Sequence, residues 1–260
     1  GELGDFRLID ATDPSQPQAL SDWDQRRTSM IEQSDAAAAT EYHIHSATFA
    51  SDGMSAWLAA WDGGAVMLDI AVLTDPVATA HVPIEPITAG NVHSIAFDDA
   101  SGLLIRSDEG LNPIGDDGET GAWGSQTIYD IADLGRIAQT GEYRSPGAVA
   151  VNGGPNYSGF YSAHEAELVD GIEYVSAYSD GLRIVDLTDP ATPVEVGSFV
   201  PPASIDRYGY WRAFDGTGAF PLVWGVEVDD EQVFLSDVNT GLWIVRRTEP
   251  DAGLDDGRGL

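Results

Sequence analysis

Four stretches of the chain repeat one short pattern, an apolar run closed by a polar turn and a proline: Phe6 to Pro14, Ala65 to Pro76, Leu182 to Pro190 and Leu242 to Pro250. A weaker copy runs from Gln126 to Asp133. A unit this short cannot bury its own apolar face. Each copy must therefore pack on the next, as stacked or radially repeated sheets do.

Aligned on these copies, the rest of the unit emerges. An apolar strand ending in an acidic or glycine turn precedes each: Ala56 to Gly63, Leu103 to Gly110, Tyr174 to Gly181 and Val233 to Asp237. Before that lies another short strand, starting near His45, His93, His164 and Val226. After the Asp-Pro comes a fourth, clearest at Val194 to Phe199 and weaker at Gln18 to Leu20 and Ala138 to Tyr143. Short β-branched and aromatic runs punctuated by turn residues mark an all-β meander. Four antiparallel strands per unit make the blade of a β-propeller, lettered a to d from the axis outward. The expected fold class is all-β, a β-propeller of about five to six four-stranded antiparallel blades.

The units fall at 6–20, 45–87, 93–144, 164–200 and 224–247, within one domain over residues 1–250; residues 251–260 read as a flexible acidic tail. The last unit supplies strands a, b and c, and the first c and d. The ends thus overlap at strand c, which predicts either an irregular closure or the loss of an amino-terminal part, the second being preferred. Asp10, Asp69, Asp130 and Asp186 recur at the end of strand c, where Asp bonds the amides of its own turn; Arg246 takes that place in the last copy.

Against 43 Asp plus Glu stand 12 basic residues, all of them arginine, for a formal net charge of −31. Such a surface repels itself unless salt screens it, and at molar salt the Debye length falls to about 3 Å. The composition is that of a haloadapted protein. It excludes nucleic acid as a partner, for no basic patch displaces phosphate counterions. Without cysteine there are no disulfides, thiolate metal sites or thiol nucleophiles. No apolar run approaches the roughly 18 residues of a membrane span, no secretory signal opens the chain, and Gly1 to Gly4 reads as a trimmed end.

The stretch from Leu182 to Val194, preceded by Tyr178 to Gly181, resembles the LVIVD repeat of bacterial and archaeal surface propellers. Residues 164–247 match best, with Pro221 to Gly225 and Asp237 to Gly241; residues 1–144 match piecewise, and 126–131 lacks the Asp-Pro. The resemblance implies an extracellular or cell-envelope location. It implies no single activity, since fold does not determine function.

The repeat frame places residues on faces. His45, His93 and His164 start strand a in three blades, with Trp224 just ahead of the fourth, and Asp62, Asp108, Asp180 and Asp237 occupy the b–c turns. All should ring one mouth of the central channel, where neutral imidazoles and carboxylates suit a divalent transition metal. The plainer reading has each histidine donating to a neighbouring blade and each Asp capping its turn. His43, two residues from His45, is expected to point the opposite way, so that only one of the two joins an axial cluster. The acidic loop with Asp108, Glu109, Asp116, Asp117 and Glu119 invites calcium, although it lacks EF-hand spacing and such clusters arise from composition alone.

The longest insertions, 21–44, 108–125, 145–163 and 201–224, fall on the same face. Tyr157, Tyr161, Tyr208, Tyr210, Trp211 and Trp224 make that face aromatic. The reading that follows is a non-enzymatic surface module that binds a protein or glycan there. The alternatives are a metal-dependent oxidase or hydrolase with its ion on the three histidines, and a structural subunit of an oligomeric surface assembly. No phosphate-binding glycine loop, Gly-x-Ser-x-Gly elbow or His-Glu-x-x-His helix is present.

The charge reading has a direct test. The unfolding midpoint should rise steeply from 50 mM to about 2 M KCl as screening removes self-repulsion; full stability at the low concentration would exclude haloadaptation.

Overall fold

The computed structural model describes residues 5–25, 43–84, 90–111, 123–151, 159–204 and 219–248. Seventeen strands form five antiparallel sheets in chain order. Sheet 1 pairs β1 (Phe6–Asp10) with β2 (Gln18–Trp23). Sheet 2 is a meander of β3 (Ser46–Phe49), β4 (Ser55–Ala59), β5 (Ala65–Asp69) and β6 (Val77–Val82). Sheet 3 repeats it with β7 (Asn91–Asp98), β8 (Leu103–Glu109), β9 (Gln126–Asp130) and β10 (Ala138–Tyr143). After the short helix α1 (Pro146–Val151), sheet 4 follows as β11 (Ala166–Val169), β12 (Ile172–Ser176), β13 (Leu182–Asp186) and β14 (Val194–Phe199). Sheet 5 has three strands, β15 (Val223–Asp229), β16 (Gln232–Asp237) and β17 (Gly241–Arg246).

Each sheet packs face to face on the next. Leu8 and Trp23 of sheet 1 meet Leu58, Val66 and Leu68 of sheet 2. The other face of sheet 2, with Trp57 and Ala59, meets Ile95, Leu104 and Tyr129 of sheet 3. Ile105 and Ile128 then face Val185 and Leu187 of sheet 4, and Tyr174, Leu182 and Ile184 face Val226, Val233 and Leu235 of sheet 5. A sheet covered on both faces needs apolar residues at successive positions, which is why β4 reads Ala-Trp-Leu-Ala without polar alternation. Burying one such side chain contributes about 1.5–3 kcal/mol.

The unit ends follow turn chemistry. Asp10, Asp69, Asp130 and Asp186 accept the backbone N–H two residues on, at 2.8 to 3.0 Å. A β-bulge falls at the same place in all four c–d pairs, between the two residues ahead of that Asp, and bends strand d away from the axis.

The innermost strands β3, β7, β11 and β15 contact one another in sequence and line a central cavity of about 530 Å³, flanked by Ser46, Ser94, Glu165, Glu167 and Glu227. The ring is not closed. Among the described residues no apolar cluster joins sheet 5 to sheet 1, and Ile9, Leu242 and Ile244 remain exposed. The overlap at strand c expected from the two end units is seen among the described residues as two separate sheets, β1–β2 and β15–β17, each with a strand c of its own. Residues 251–260 lie outside the described residues.

Between sheets 3 and 4 runs a polar seam. Ser107 and Gln126 on one side face Glu173 and Arg183 on the other, all but Arg183 essentially solvent-free. Arg183 and Tyr143 both reach Glu195, but neither oxygen of Glu173 finds a well-placed donor. Burial pushes the Glu173 carboxyl up to about 8, with Gln126 alone opposing. From its ordinary value near 4.5 upward, the unfolded chain ionises this group while the folded chain keeps it protonated. Its contribution is therefore fully present in acid and is lost as pH rises to about 8, at up to ~1.4 kcal/mol per pH unit. Glu173→Gln should raise the melting temperature at pH 8 by more than at pH 5; an equal shift at both would show that Glu173 is ionised in the fold.

Candidate functional site

The mouth of the cavity is built by one repeated device. The ladder registers make His45, His93, His164 and Trp224 equivalent, each standing just ahead of the residue that pairs with Ala59, Ser107, Ser176 or Ser236 of strand b. Their rings form a column: His45 lies 3.8 Å from His93, His93 3.9 Å from His164, and His164 4.4 Å from Trp224, centroid to centroid. Each step is laced to the next sheet through backbone carbonyls. Ser46, Ser94 and Ser176 hydroxyls donate to the carbonyls of His93, His164 and Trp224 at 2.8 Å. His45 Nδ1 lies 3.0 Å from the His93 carbonyl, and His164 Nδ1 2.5 Å from that of Trp224. A carbonyl only accepts, so these Nδ1 atoms carry the protons and each Nε2 keeps its lone pair.

A second set of positions is equivalent as well: two residues beyond the strand b residue that pairs with the start of strand c stand Trp61, Glu109 and Tyr178. Trp61 and Tyr178 adopt left-handed backbone, φ 43° and 46°, and hand their carbonyls to Val92 and Val223 of the following sheet. Glu109 instead turns its carboxylate to the column. Its Oε2 lies 3.8 Å from His93 Nε2, and its Oε1 accepts the Tyr178 hydroxyl.

His93, Glu109 and His164 each bring one donor atom within 4.8 Å of the others. His93 Nδ1 and His164 Nε2 are buried without a partner. Burial, and then the flanking imidazoles, lower His93 to about 2; burial lowers His164 to about 4 and also lowers His45. The column is therefore neutral throughout the physiological range, as metal-binding imidazoles must be. Burial raises Glu109, with the Tyr178 hydrogen bond opposing. Two imidazole nitrogens and one carboxylate suit a transition metal such as zinc and leave a coordination position open. A tetrahedral ion holds its ligands ~3.3 Å apart, so binding would draw these three inward.

The four turn aspartates do not join them. They are not equivalent: Asp108 and Asp237 directly follow Ser107 and Ser236 of strand b, whereas Asp62 and Asp180 lie further beyond the matching Ala59 and Ser176, in their turns. Asp108 is buried in a two-pronged pair with Arg106, at 2.8 and 2.7 Å. Asp62 accepts from Asn91, Asp180 from the Gly147 N–H at 2.7 Å, and Asp237 from the N–H groups of Leu222, Asn239 and Thr240. The acid beside the rings is Glu109, grouped from sequence only with the calcium loop. Adjacent strand residues face opposite ways, so Asp108 and Glu109 part company; Asp116, Asp117 and Glu119 lie outside the described residues.

His43 departs from expectation. Residues two apart along an extended strand share a face, and His43 stacks on Trp61 at 5.1 Å on the same side as His45. Of the aromatic face, Trp224 is 37% exposed. Tyr161 packs edge-on against Trp123 at 5.8 Å, in an apolar cluster where Phe160, Tyr178, Phe220 and Leu222 draw insertion ends together. Tyr157, Tyr208, Tyr210 and Trp211 lie outside the described residues.

No protein-family model matches the chain, and no curated protein matches it. Solved structures do. A provisionally assigned 6-phosphogluconolactonase from Bacteroides uniformis superposes with a TM-score of 0.52 at 15% identity, over 83% of this chain and 53% of that one. The Cps50 (Swd1) β-propeller domain of Myceliophteria thermophila gives 0.49 at 13%, over 80% and 53%. The periplasmic gluconolactonase of Pseudomonas aeruginosa gives 0.49 at 13%, over 92% and 63%. The fold is a β-propeller. The likeness is one of fold alone, and this chain spans about half the length of the first two structures.

The Arg106–Asp108 pair has its own test. Arg106→Met strands a buried carboxylate and should cost about 3–5 kcal/mol. Adding Asp108→Asn should restore more than half of that loss in a double-mutant cycle by denaturant unfolding.

Proposed function

We propose that this chain is a ligand-binding β-propeller domain that holds a divalent transition-metal ion at the mouth of its central cavity through His93, His164 and Glu109. One observation carries the reading: three donor atoms from two sheets converge, and the hydrogen bonds around them favour ligation. The His164 Nδ1 proton is given to the Trp224 carbonyl, leaving Nε2 free, and the Tyr178 hydroxyl orients the Glu109 carboxylate. Such outer partners are what fix metal-binding side chains.

When bound, the ion would supply a Lewis-acidic position open to a ligand oxygen or nitrogen. Trp61 and Trp224 flank the column and provide flat apolar walls, which favours recognition of a protein or glycan over turnover of a small substrate. The net charge supports work in high salt, and the LVIVD-like repeat supports a place at the cell surface or envelope.

Protein purified without chelator should bind about one equivalent of Zn²⁺ or Co²⁺ by calorimetry. Glu109→Gln and His164→Gln should weaken binding at least about tenfold, while Asp62→Asn leaves it unchanged. Less than about a tenth of an equivalent bound would overturn the metal site.

A second reading rests on the seam itself. The same Nδ1 and hydroxyl contacts to neighbouring carbonyls join sheets with or without an ion. The exposed Trp224 would then be the contact for a partner, and Trp224→Ala would abolish partner binding with folding intact.

A further inference from the structure

The polar seam between sheets 3 and 4 holds a cluster of side chains that the fold itself does not satisfy. Ser107 and Gln126 are cross-strand partners on β8 and β9. They share a strand face with Ile105 and Ile128, which pack on Val185 of sheet 4. Glu173 is the ladder partner of Val185 on β12, so its carboxyl group enters the same inter-sheet layer. All three side chains are at most 1% exposed. Yet both Glu173 oxygens, both Gln126 amide atoms and the Ser107 hydroxyl have no hydrogen-bond partner among the described residues.

Buried polar atoms left unpaired in one layer are costly together, and each calls for a partner. We propose that the seam binds one monovalent cation of the sodium or potassium class through Glu173, Gln126 and Ser107. None of the donors in the histidine column takes part.

Charge and donor chemistry select the occupant. Arg183 shares the face with Glu173 but reaches Asp180 at 3.3 Å and Glu195 at 3.2 Å instead, and its Nε has no partner. The Tyr143 hydroxyl likewise donates to Glu195, at 2.6 Å. The Glu173 carboxylate is thus left without a neutralising base. A monovalent ion cancels its single charge, as a water-poor layer requires; a divalent ion would leave a net positive charge beside Arg183. The donors are carboxylate, amide and hydroxyl oxygens, which hard cations take and softer transition metals do not prefer. No partner fixes the Gln126 amide, so its oxygen is free to turn inward. A water molecule would pair the polar atoms but leave the charge. The other neutraliser is the proton: burial raises Glu173 to about 8, so proton and cation compete for one carboxylate.

The full chain is melted near pH 8 in about 1 M NaCl, KCl or choline chloride, the last matching the screening with a cation too large for the seam. On replacing choline by sodium or potassium, the melting temperature should rise about 5 °C more in the wild type than in Glu173→Gln. Ser107→Ala, which keeps the carboxylate, should lose at least about half of that excess. The same exchange in weakly buffered solution should release about half a proton more per wild-type chain than per Glu173→Gln chain, because Glu173 is about half protonated at that pH. A role in packing alone would release none. An equal melting gain in the wild type and either variant, or equal proton release from the wild type and Glu173→Gln, would overturn the proposal and leave water as the partner of these atoms.

Discussion

Everything in this protein depends on sheets that have two apolar faces and no way to cover them alone. Trp57 and Leu58 are neighbours in one strand, both inaccessible, and they point into different inter-sheet layers. A sheet built this way is stable only between two others. The fan of five sheets is the consequence, and so is the convergence of its inner strands on one cavity. Among the described residues, the outer face of sheet 5 keeps Leu242 and Ile244 exposed.

The cavity mouth shows how repetition makes a site. Repeated units contribute one residue near the start of strand a and one near the end of strand b, and stacking brings the histidines of the first set into a column only 3.8 to 3.9 Å from ring to ring. Polar lacing to the next sheet then serves two ends at once: it satisfies carbonyls between sheets and sets which ring nitrogen carries the proton. Glu109 breaks the pattern of Trp61 and Tyr178 at its position, and that departure turns a structural seam into a candidate metal centre.

Much of the fold was legible in the residues. The strand pattern, the turn aspartates and the unequal first and last units could all be read from local periodicity and turn chemistry, as could the alignment of His45, His93 and His164. The site was legible only in part. Aligning turns by their Asp-Gly pairs grouped Asp62, Asp108, Asp180 and Asp237, although those turns differ in length and the four carboxylates face different partners. Counting instead from the strand b residue that pairs with the start of strand c aligns Glu109 with Trp61 and Tyr178. Arg106, two residues before Asp108 on the same strand face, was the local sign that Asp108 was already engaged.

By itself, then, the chain of residues determined the sheet-forming units, their order and the acid excess of the surface, because these follow from short-range periodicity, turn propensity and composition. Tertiary structure alone decided which acid reaches the imidazoles and which ring nitrogens stay free. Those outcomes depend on how sheets far apart in the chain meet, which a local pattern can align but not place in space.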